Sequence, residues 1–401
     1  MVRVAVTGLG PVSSIGIGRA EFAAALRAGR SGISPISSFA TTGFVQRLAG
    51  EVVGFEPAAL LRRLDPTRWG RSSLLAAAAA RLAIQDARLV PEQVPAGRAH
   101  AVIGTTSGES QVLEALTGQI VEAGFAAQDP DLLEQLPANR LANAVSTELG
   151  LHGESLTIAT ACSAGNYAIG YGYDLLVSGE ADVVVVGGAD SVCRWAHAGF
   201  ARLGALTAGD CAPFDRDRSG ILTGEGGAAL ILETFEHAKA RGARSYAEVL
   251  GYGMNCDAHH PVAPQLAGIV ECMRLAHRNA GVKADEVDYI CAHGTGTVAN
   301  DLIEGTAVLE VFGTIPPPIS SIKSMLGHTM GAACAFGAIA ATLAIDRGFL
   351  PPTINWQRAD PALPGIDPVP GSARPARVRV AQNDGFAFGG NNAIVLLGAL
   401  S

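Results

Sequence analysis

The sequence predicts a layered α/β fold, and two observations carry that reading. Asp182-Val-Val-Val-Val-Gly-Gly188 is a continuous β-branched run bounded by glycine, the pattern of a strand buried on both faces. One arrangement also occurs twice: strand, tight turn, a residue able to do chemistry, then a buried Ala/Gly-rich helix. Composition agrees. With 48% hydrophobic and 16% charged residues, much of the 401-residue chain is interior, enough for one large domain or two medium ones.

Taken in order, residues 3–7 predict a strand, followed by Gly8-Leu-Gly10-Pro-Val-Ser13. That loop half-matches a dinucleotide fingerprint, but Ser13 stands at the third glycine and no acidic residue closes a second strand. Residues 21–27 and 72–88 read as helices, the second very Ala-rich. A strand over 101–104 leads into the loop Thr105-Thr-Ser107-Gly108, and an amphipathic helix covers 111–123. The polar, Pro-containing stretch 124–140 reads as a surface excursion near an entrance. Residues 156–159 form a short apolar run, read as a buried strand. Then come Thr160-Ala-Cys162, a helix with Ala164, Ala168, Tyr171 and Leu175 on one face, and Gly179 as its stop. After the strand at 182–188, the Gly-rich Gly224-Glu225-Gly-Gly227 feeds a strand over 228–233 and a charged helix over 236–241. In the second half, a strand over 287–292 ends at His293 and the tight Gly294-Thr-Gly-Thr297. Asp301 opens a helix that stops at Gly313. A strand over 319–322 leads to Lys323, and His328 opens a small-residue helix ending near Gly348. Strands over 378–380 and 393–397 flank Gly385-Phe-Ala-Phe388-Gly389-Gly390-Asn391-Asn392.

Charge and cysteine usage narrow the function. A net charge of −8 with no basic run argues against nucleic acid as the main partner. The chain enters a strand at once, without a signal-peptide core, and its longest apolar stretch, 330–345, reads as too short for a membrane span. Seven scattered cysteines without a CxxC pair predict a reduced, cytoplasmic protein. Of 29 basic residues only Lys239, Lys283 and Lys323 are lysines, so Lys323 marks a place that calls for a compact ammonium.

Cys162, His293 and His328 each follow a strand, where ligands of α/β folds bind. Cys162 also falls at a helix N-terminus. The helix dipole there lowers a thiol pKa and makes a better nucleophile; the alternative is a small buried hydrophobe. One thiol with two imidazoles fits a protease-like pair. It fits equally a thiol that holds an acyl group while two N–H donors stabilise an enolate. Asp301 and Glu304 read either as a capping box or as a carboxylate cluster paired with Lys323. A metal site at Cys256-Asp257-Ala-His259-His260 is disfavoured, since adjacent side chains diverge and the spacing matches no zinc pattern; the segment reads as loop lining.

Thr160-Ala-Cys162-Ser, His293-Gly-Thr-Gly-Thr, Lys323-Ser-Met-Leu-Gly-His328 and Gly385-Phe-Ala-Phe388-Gly-Gly-Asn-Asn resemble the four signature blocks of the β-ketoacyl synthases. Pro213-Phe-Asp215-Arg-Asp217 and Gly224-Glu225-Gly226 resemble further family blocks, so the likeness runs from about residue 4 to 397. The resemblance implies a thiolase-like, five-layered α/β/α/β/α sandwich of two pseudo-repeated halves. Residues 1–240 would carry the nucleophilic cysteine and 241–401 the two histidines. It implies decarboxylative Claisen condensation of an acyl thioester with malonyl on an acyl carrier protein, with no metal, nucleotide or other cofactor. Cys162 would accept the acyl group, and His293 and His328 would drive malonyl decarboxylation. The backbone N–H groups of Cys162 and Phe388 would form the oxyanion hole, with the Phe388 ring as gate and Gly389 and Gly390 in support. Lys323 would orient the site beside Asp301 and Glu304. A homodimer, or a heterodimer with a chain-length-factor-like homologue, is expected.

Three positions depart from the family pattern. Gly337 stands where a Glu is usual, nine residues after the second His. Asn391 replaces a usual Thr. Ser107 occupies a loop position that often carries a larger apolar residue at the acyl pocket. Together they suggest a specialised polyketide enzyme, and Ser107 is expected to open the acyl pocket. The alternative is a non-catalytic partner subunit, against which the retained Cys162 argues. A simple thioesterase or protease is disfavoured by the second histidine.

Overall fold

The computed structural model describes residues 2–90 and 93–400. Ten strands build two five-stranded halves. The first half has β1 (Val4–Ser13), β2 (Ala99–Gly104), β3 (Ser155–Ile158), β4 (Val183–Asp190) and β5 (Gly226–Thr234). The second has β6 (Ala247–Cys256), β7 (Tyr289–Cys291), β8 (Ile319–Ser320), β9 (Val380–Phe386) and β10 (Asn391–Gly398). Their orders are β3-β2-β4-β5-β1 and β8-β7-β9-β10-β6. In each half four strands run one way and the fourth in the order, β5 or β10, runs antiparallel to them, so one half is a structural copy of the other. The halves join where Val4–Val6 pair with Ala247–Val249.

Six helices complete the layers. α1 (Arg71–Asp86) and α2 (Arg140–Leu149) cover the outer face of the first half. α3 (Ala164–Val177) and α6 (Ala333–Arg347) lie between the two sheets, and α4 (Leu266–Ala280) with α5 (Val298–Phe312) covers the far face. That is the five-layered α/β/α/β/α sandwich. Small residues set its thickness. A side chain on Gly165 of α3 would come within 2.7 Å of the Ala335 backbone of α6, so the two central helices meet almost backbone to backbone. Every residue of α6 from Ala333 to Ala344 is buried.

Three sequence expectations change. The strand expected over 3–7 runs on to Ser13, so Gly8 and Gly10 lie inside β1 and not in a loop after it; a Cβ on Gly10 would sit 1.9 Å from the Ala79 carbonyl, so these glycines admit α1 against the sheet. The run at 156–159 is a half-buried edge strand: among the described residues β3 pairs with β2 alone, and its other edge is open. Met330–Arg347 does have the length and apolar character of a membrane span, but 83% of it is buried as the central layer of this sandwich.

Candidate active site

Each half contributes the same turn after its outermost parallel strand. A short 3-10 turn, Ala161–Ser163, precedes α3, and its twin, Met330–Ala332, precedes α6. Ala161 and Met330 both take φ +52°, a left-handed conformation costly for residues with a side chain. The first turn aims Cys162 into the space between the halves. The second follows His328 directly. His293 arrives from the end of β7.

These three side chains line one cleft. The His293 and His328 rings stand edge to face with centroids 5.6 Å apart. His328 Nδ1 accepts the Met330 N–H at 3.1 Å, which fixes its tautomer: in the neutral ring, Nε2 carries the proton and donates. His293 Nδ1 is buried without a hydrogen-bond partner among the described residues. Burial, reinforced by Lys323, holds both imidazoles well below their ordinary pKa, with His328 also acting on His293; both rings are neutral at pH 7. Two neutral imidazoles cannot repel an incoming cationic charge or attract an anion by net charge. What they can do is donate N–H bonds to a developing oxyanion.

The thiol differs from its sequence expectation. Burial pushes Cys162 up to about 11, with Lys323 pulling it down and Asp190 pushing it further up. The backbone N–H groups of Phe388 and of Cys162 itself also favour the anionic form. Desolvation therefore outweighs the turn's donors, and the resting group is a thiol. The same two N–H groups converge at the sulfur. Phe388 is 38% exposed at the cleft mouth, its ring 5.9 Å from that of Phe200. Gly389 and Gly390 behind it take φ +87° and +78°, making the turn that carries the ring.

Asp301 and Glu304 do not cap a helix, and among the described residues neither hydrogen-bonds Lys323, although the Lys323 charge favours the Glu304 carboxylate. The N-cap of α5 is Thr297, whose hydroxyl accepts from Asn300 N–H. Both carboxyl groups instead gather the donors of the turn after His293. Glu304 accepts from the N–H of His293 and Gly294 at 2.7 Å each, and Asp301 from those of Thr295, Gly296 and Phe214. Burial raises both groups, Glu304 to about 7. Lys323 Nζ donates to the His293 carbonyl at 2.5 Å, so lysine and carboxylates hold the same turn from opposite sides. Ser107 does not line the cleft. Its N–H is taken by the buried Asp190, which also accepts from Thr105, Thr106 and the Gly331 N–H, and the loop sits behind the twin turn.

The N-terminal domain profile of the β-ketoacyl synthases matches residues 1–238, and the C-terminal domain profile matches residues 246–357. The chain belongs to the β-ketoacyl synthase family. It is 37% identical to 3-oxoacyl-[acyl-carrier-protein] synthase 2 of Synechocystis sp. over 401 residues, covering 97% of this chain and 96% of that one. It is 36% identical to nodulation protein E of Rhizobium meliloti, covering 98% of each. Among solved structures, the ishigamide ketosynthase/chain length factor superposes with a TM-score of 0.98 at 50% identity over 100% of both chains. A type II polyketide synthase ketosynthase, solved with its acyl carrier protein, superposes at 0.91 with 30% identity over 100% of both. The protein is thus a condensing acyltransferase with a thiolase-like fold.

Several residues of this ketosynthase cleft escaped the sequence reading. Thr295, Thr297 and Asn392 line it and lie inside motifs already singled out, so proximity to those blocks was a usable signal. Asp257 lines it too, accepting from Gln265 N–H and from Asn392 Nδ2 at 2.7 Å; the 256–260 segment is loop lining as expected. Phe200, on the helix Arg194–Arg202, carries no local signal.

Proposed function

We propose that Cys162 carries the growing acyl chain and that His293 and His328 stabilise the enolate formed when malonyl on an acyl carrier protein loses CO₂. The Cys162 sulfur attacks the acyl carrier thioester, and its proton leaves with the departing carrier thiol. The two backbone N–H groups at the sulfur stabilise the tetrahedral oxyanion. Malonyl thioester then enters with its carbonyl oxygen toward the imidazole donors. Its carboxylate departs as CO₂, and the enolate carbon attacks the Cys162 thioester. A carbon–carbon bond forms, the C–S bond breaks, and the sulfur leaves as a thiolate that takes a proton from solvent to regenerate the thiol. Neutral donors suit this step, since the enolate oxygen gains charge only as CO₂ leaves. Lys323, Asp301 and Glu304 position His293 through its turn. The observation that carries the proposal is the convergence of one buried thiol, two neutral imidazoles and two backbone N–H groups on one cleft.

The substrate class we infer is a polyketide intermediate rather than a housekeeping fatty acid, supported by Gly337, Asn391 and the likeness to ketosynthases of polyketide assembly. We infer further that the working form is a dimer, with a second copy or a Cys-less homologue. The open edge of β3 supports this, as do Val121 and Phe125, exposed at 80% and 77%. The test of catalysis is incubation with an acyl thioester followed by peptide mass analysis. One acyl mass should appear on the Cys162 peptide and be lost in Cys162→Ala; labelling at Cys193 or Cys291 instead would overturn the assignment. For assembly, native mass spectrometry alone and with the homologous partner should give a dimer, and a stable, fully active monomer at micromolar concentration would rule it out.

A further inference from the structure

A buried amide pair ties the nucleophile's helix to the hairpin that bears Phe388. Asn166 lies on α3, one turn beyond Cys162, and Asn383 lies on β9; both are completely buried. Asn166 Nδ2 donates to the carbonyls of Asn383 at 3.0 Å and Ala393 at 2.9 Å. Carbonyls can only accept, so the orientation of this amide is determined. Its Oδ1 in turn accepts from Asn383 Nδ2 at 2.7 Å, and Asn383 Nδ2 also donates to the Cys334 carbonyl at 2.9 Å. Cys334 completes the circuit, its thiol donating to the carbonyl of Cys162 at 3.2 Å.

The placement is specific. Asn383 and Ala393 stand on the two limbs of the β9–β10 hairpin, whose connecting turn holds Phe388. Asn166 therefore grips both limbs at once from the helix that begins at the nucleophile. Nothing else in the circuit touches the cleft, so these amides serve no substrate directly. The same circuit accounts for Gly337: a Cβ there would lie 2.2 Å from Asn383 Oδ1. Asn383 fills the volume a side chain at 337 would need.

We propose that Asn166 and Asn383 are positioning residues that set the separation between the N–H of Cys162 and the N–H of Phe388, and hence the oxyanion hole. The proposal rests on the reading of Cys162 as acyl acceptor. Its test compares two reactions of the same sulfur. Acyl transfer from a hexanoyl N-acetylcysteamine thioester passes through an oxyanion; alkylation by iodoacetamide does not. Both are read as mass gained on the Cys162 peptide of the full-length protein. In Asn166→Ala and in Asn383→Ala, acyl transfer should fall about 10- to 100-fold, as expected when an oxyanion donor is misplaced. Alkylation should fall far less than acyl transfer, because the same two N–H groups are only minor contributors to the thiolate, and the double variant should be no worse than the poorer single one. Equal loss in the two reactions, or unchanged acyl transfer, would overturn the proposal. If the alanine variants do not fold, Asn166→Ser and Asn383→Ser carry the same comparison. Wild-type protein that gains the alkyl mass but never the acyl mass would instead sink the acyl-acceptor reading, before any variant is measured.

Discussion

Gly337→Ala isolates the steric consequence of the amide pair. Position 337 is mid-helix in α6, where alanine in place of glycine ordinarily stabilises by about 0.5–1 kcal/mol. Here the new Cβ would stand 2.2 Å from Asn383 Oδ1, well inside contact distance, while the next neighbour, Cys291 Sγ, is at a comfortable 3.4 Å. The clash therefore falls on one side chain. For Asn383 to give way, it must release the Asn166 Oδ1 and the Cys334 carbonyl. Each is a buried acceptor that costs about 1–3 kcal/mol when left unpaired. Offsetting the helix gain leaves a net loss of roughly 1–5 kcal/mol. With about 2.1 cal/mol/K of unfolding entropy per residue, that corresponds to a fall of about 1–6 °C in Tm. Scanning calorimetry of wild type, Gly337→Ala, Asn383→Ala and the double variant checks it. In the Asn383→Ala background the same Gly337→Ala change should raise Tm, because only the helix term remains. A rise in the wild-type background, or an equal fall in both backgrounds, would refute the reasoning.

Other outcomes follow from the same geometry. His293→Ala and His328→Ala should each slow malonyl decarboxylation by about 10²-fold or more, the scale of one lost oxyanion donor, with a much smaller effect on acylation of Cys162. Loss of acylation first would mean that the imidazoles act as bases for the thiol. Because burial raises the resting Cys162 thiol to about 11, its iodoacetamide alkylation should keep climbing about tenfold per pH unit beyond pH 9; a plateau near pH 7 would contradict a desolvated neutral thiol. Lys323→Met removes the neighbour that pulls this pKa down, so alkylation at a fixed pH of about 8 should slow, and faster alkylation would reverse the sign of the argument. Asp190 is raised by burial to about 6. A raised carboxyl contributes stability fully present below its unfolded value and lost as pH rises through the folded one, so Asp190→Asn should flatten the stability profile between about pH 4 and 6. An unchanged slope there would assign that dependence elsewhere.

What the sequence could reveal depended on how local each feature is. Cys162, His293 and His328 sit beside their own strands and turns, so contiguous blocks displayed them. The strands of the two halves were legible for the same reason: β4 is four consecutive valines before glycine. Features made by contact between distant segments were not legible. Phe200 reaches the cleft from a helix with no marker. Asp301 and Glu304 have capping-box spacing, yet the cap falls at Thr297, and the carboxylates face a turn whose donors only the fold gathers. The thiol pKa was misjudged because a local rule, the helix N-terminus, competes with burial, and burial depends on the packing of both halves. Gly337 reads from the sequence as a missing acid, whereas in the fold Asn383 occupies the space a side chain there would need.

The twin turns bear on how freely this framework can be rewired. A duplicated elbow offers, on paper, a second seat for a nucleophile at residue 331, the counterpart of Cys162. That seat is closed. A Cβ on Gly331 would lie 2.5 Å from the Cα of Thr105 and 2.7 Å from Asp190 Oδ2, and the Gly331 N–H is already bound by that carboxylate. Moving the reactive sulfur to the other half would mean rebuilding the 105–108 loop as well as the turn. The molecule is symmetric in its scaffold and one-handed in its chemistry, and the asymmetry is held by the Thr105 backbone and the Asp190 carboxylate together.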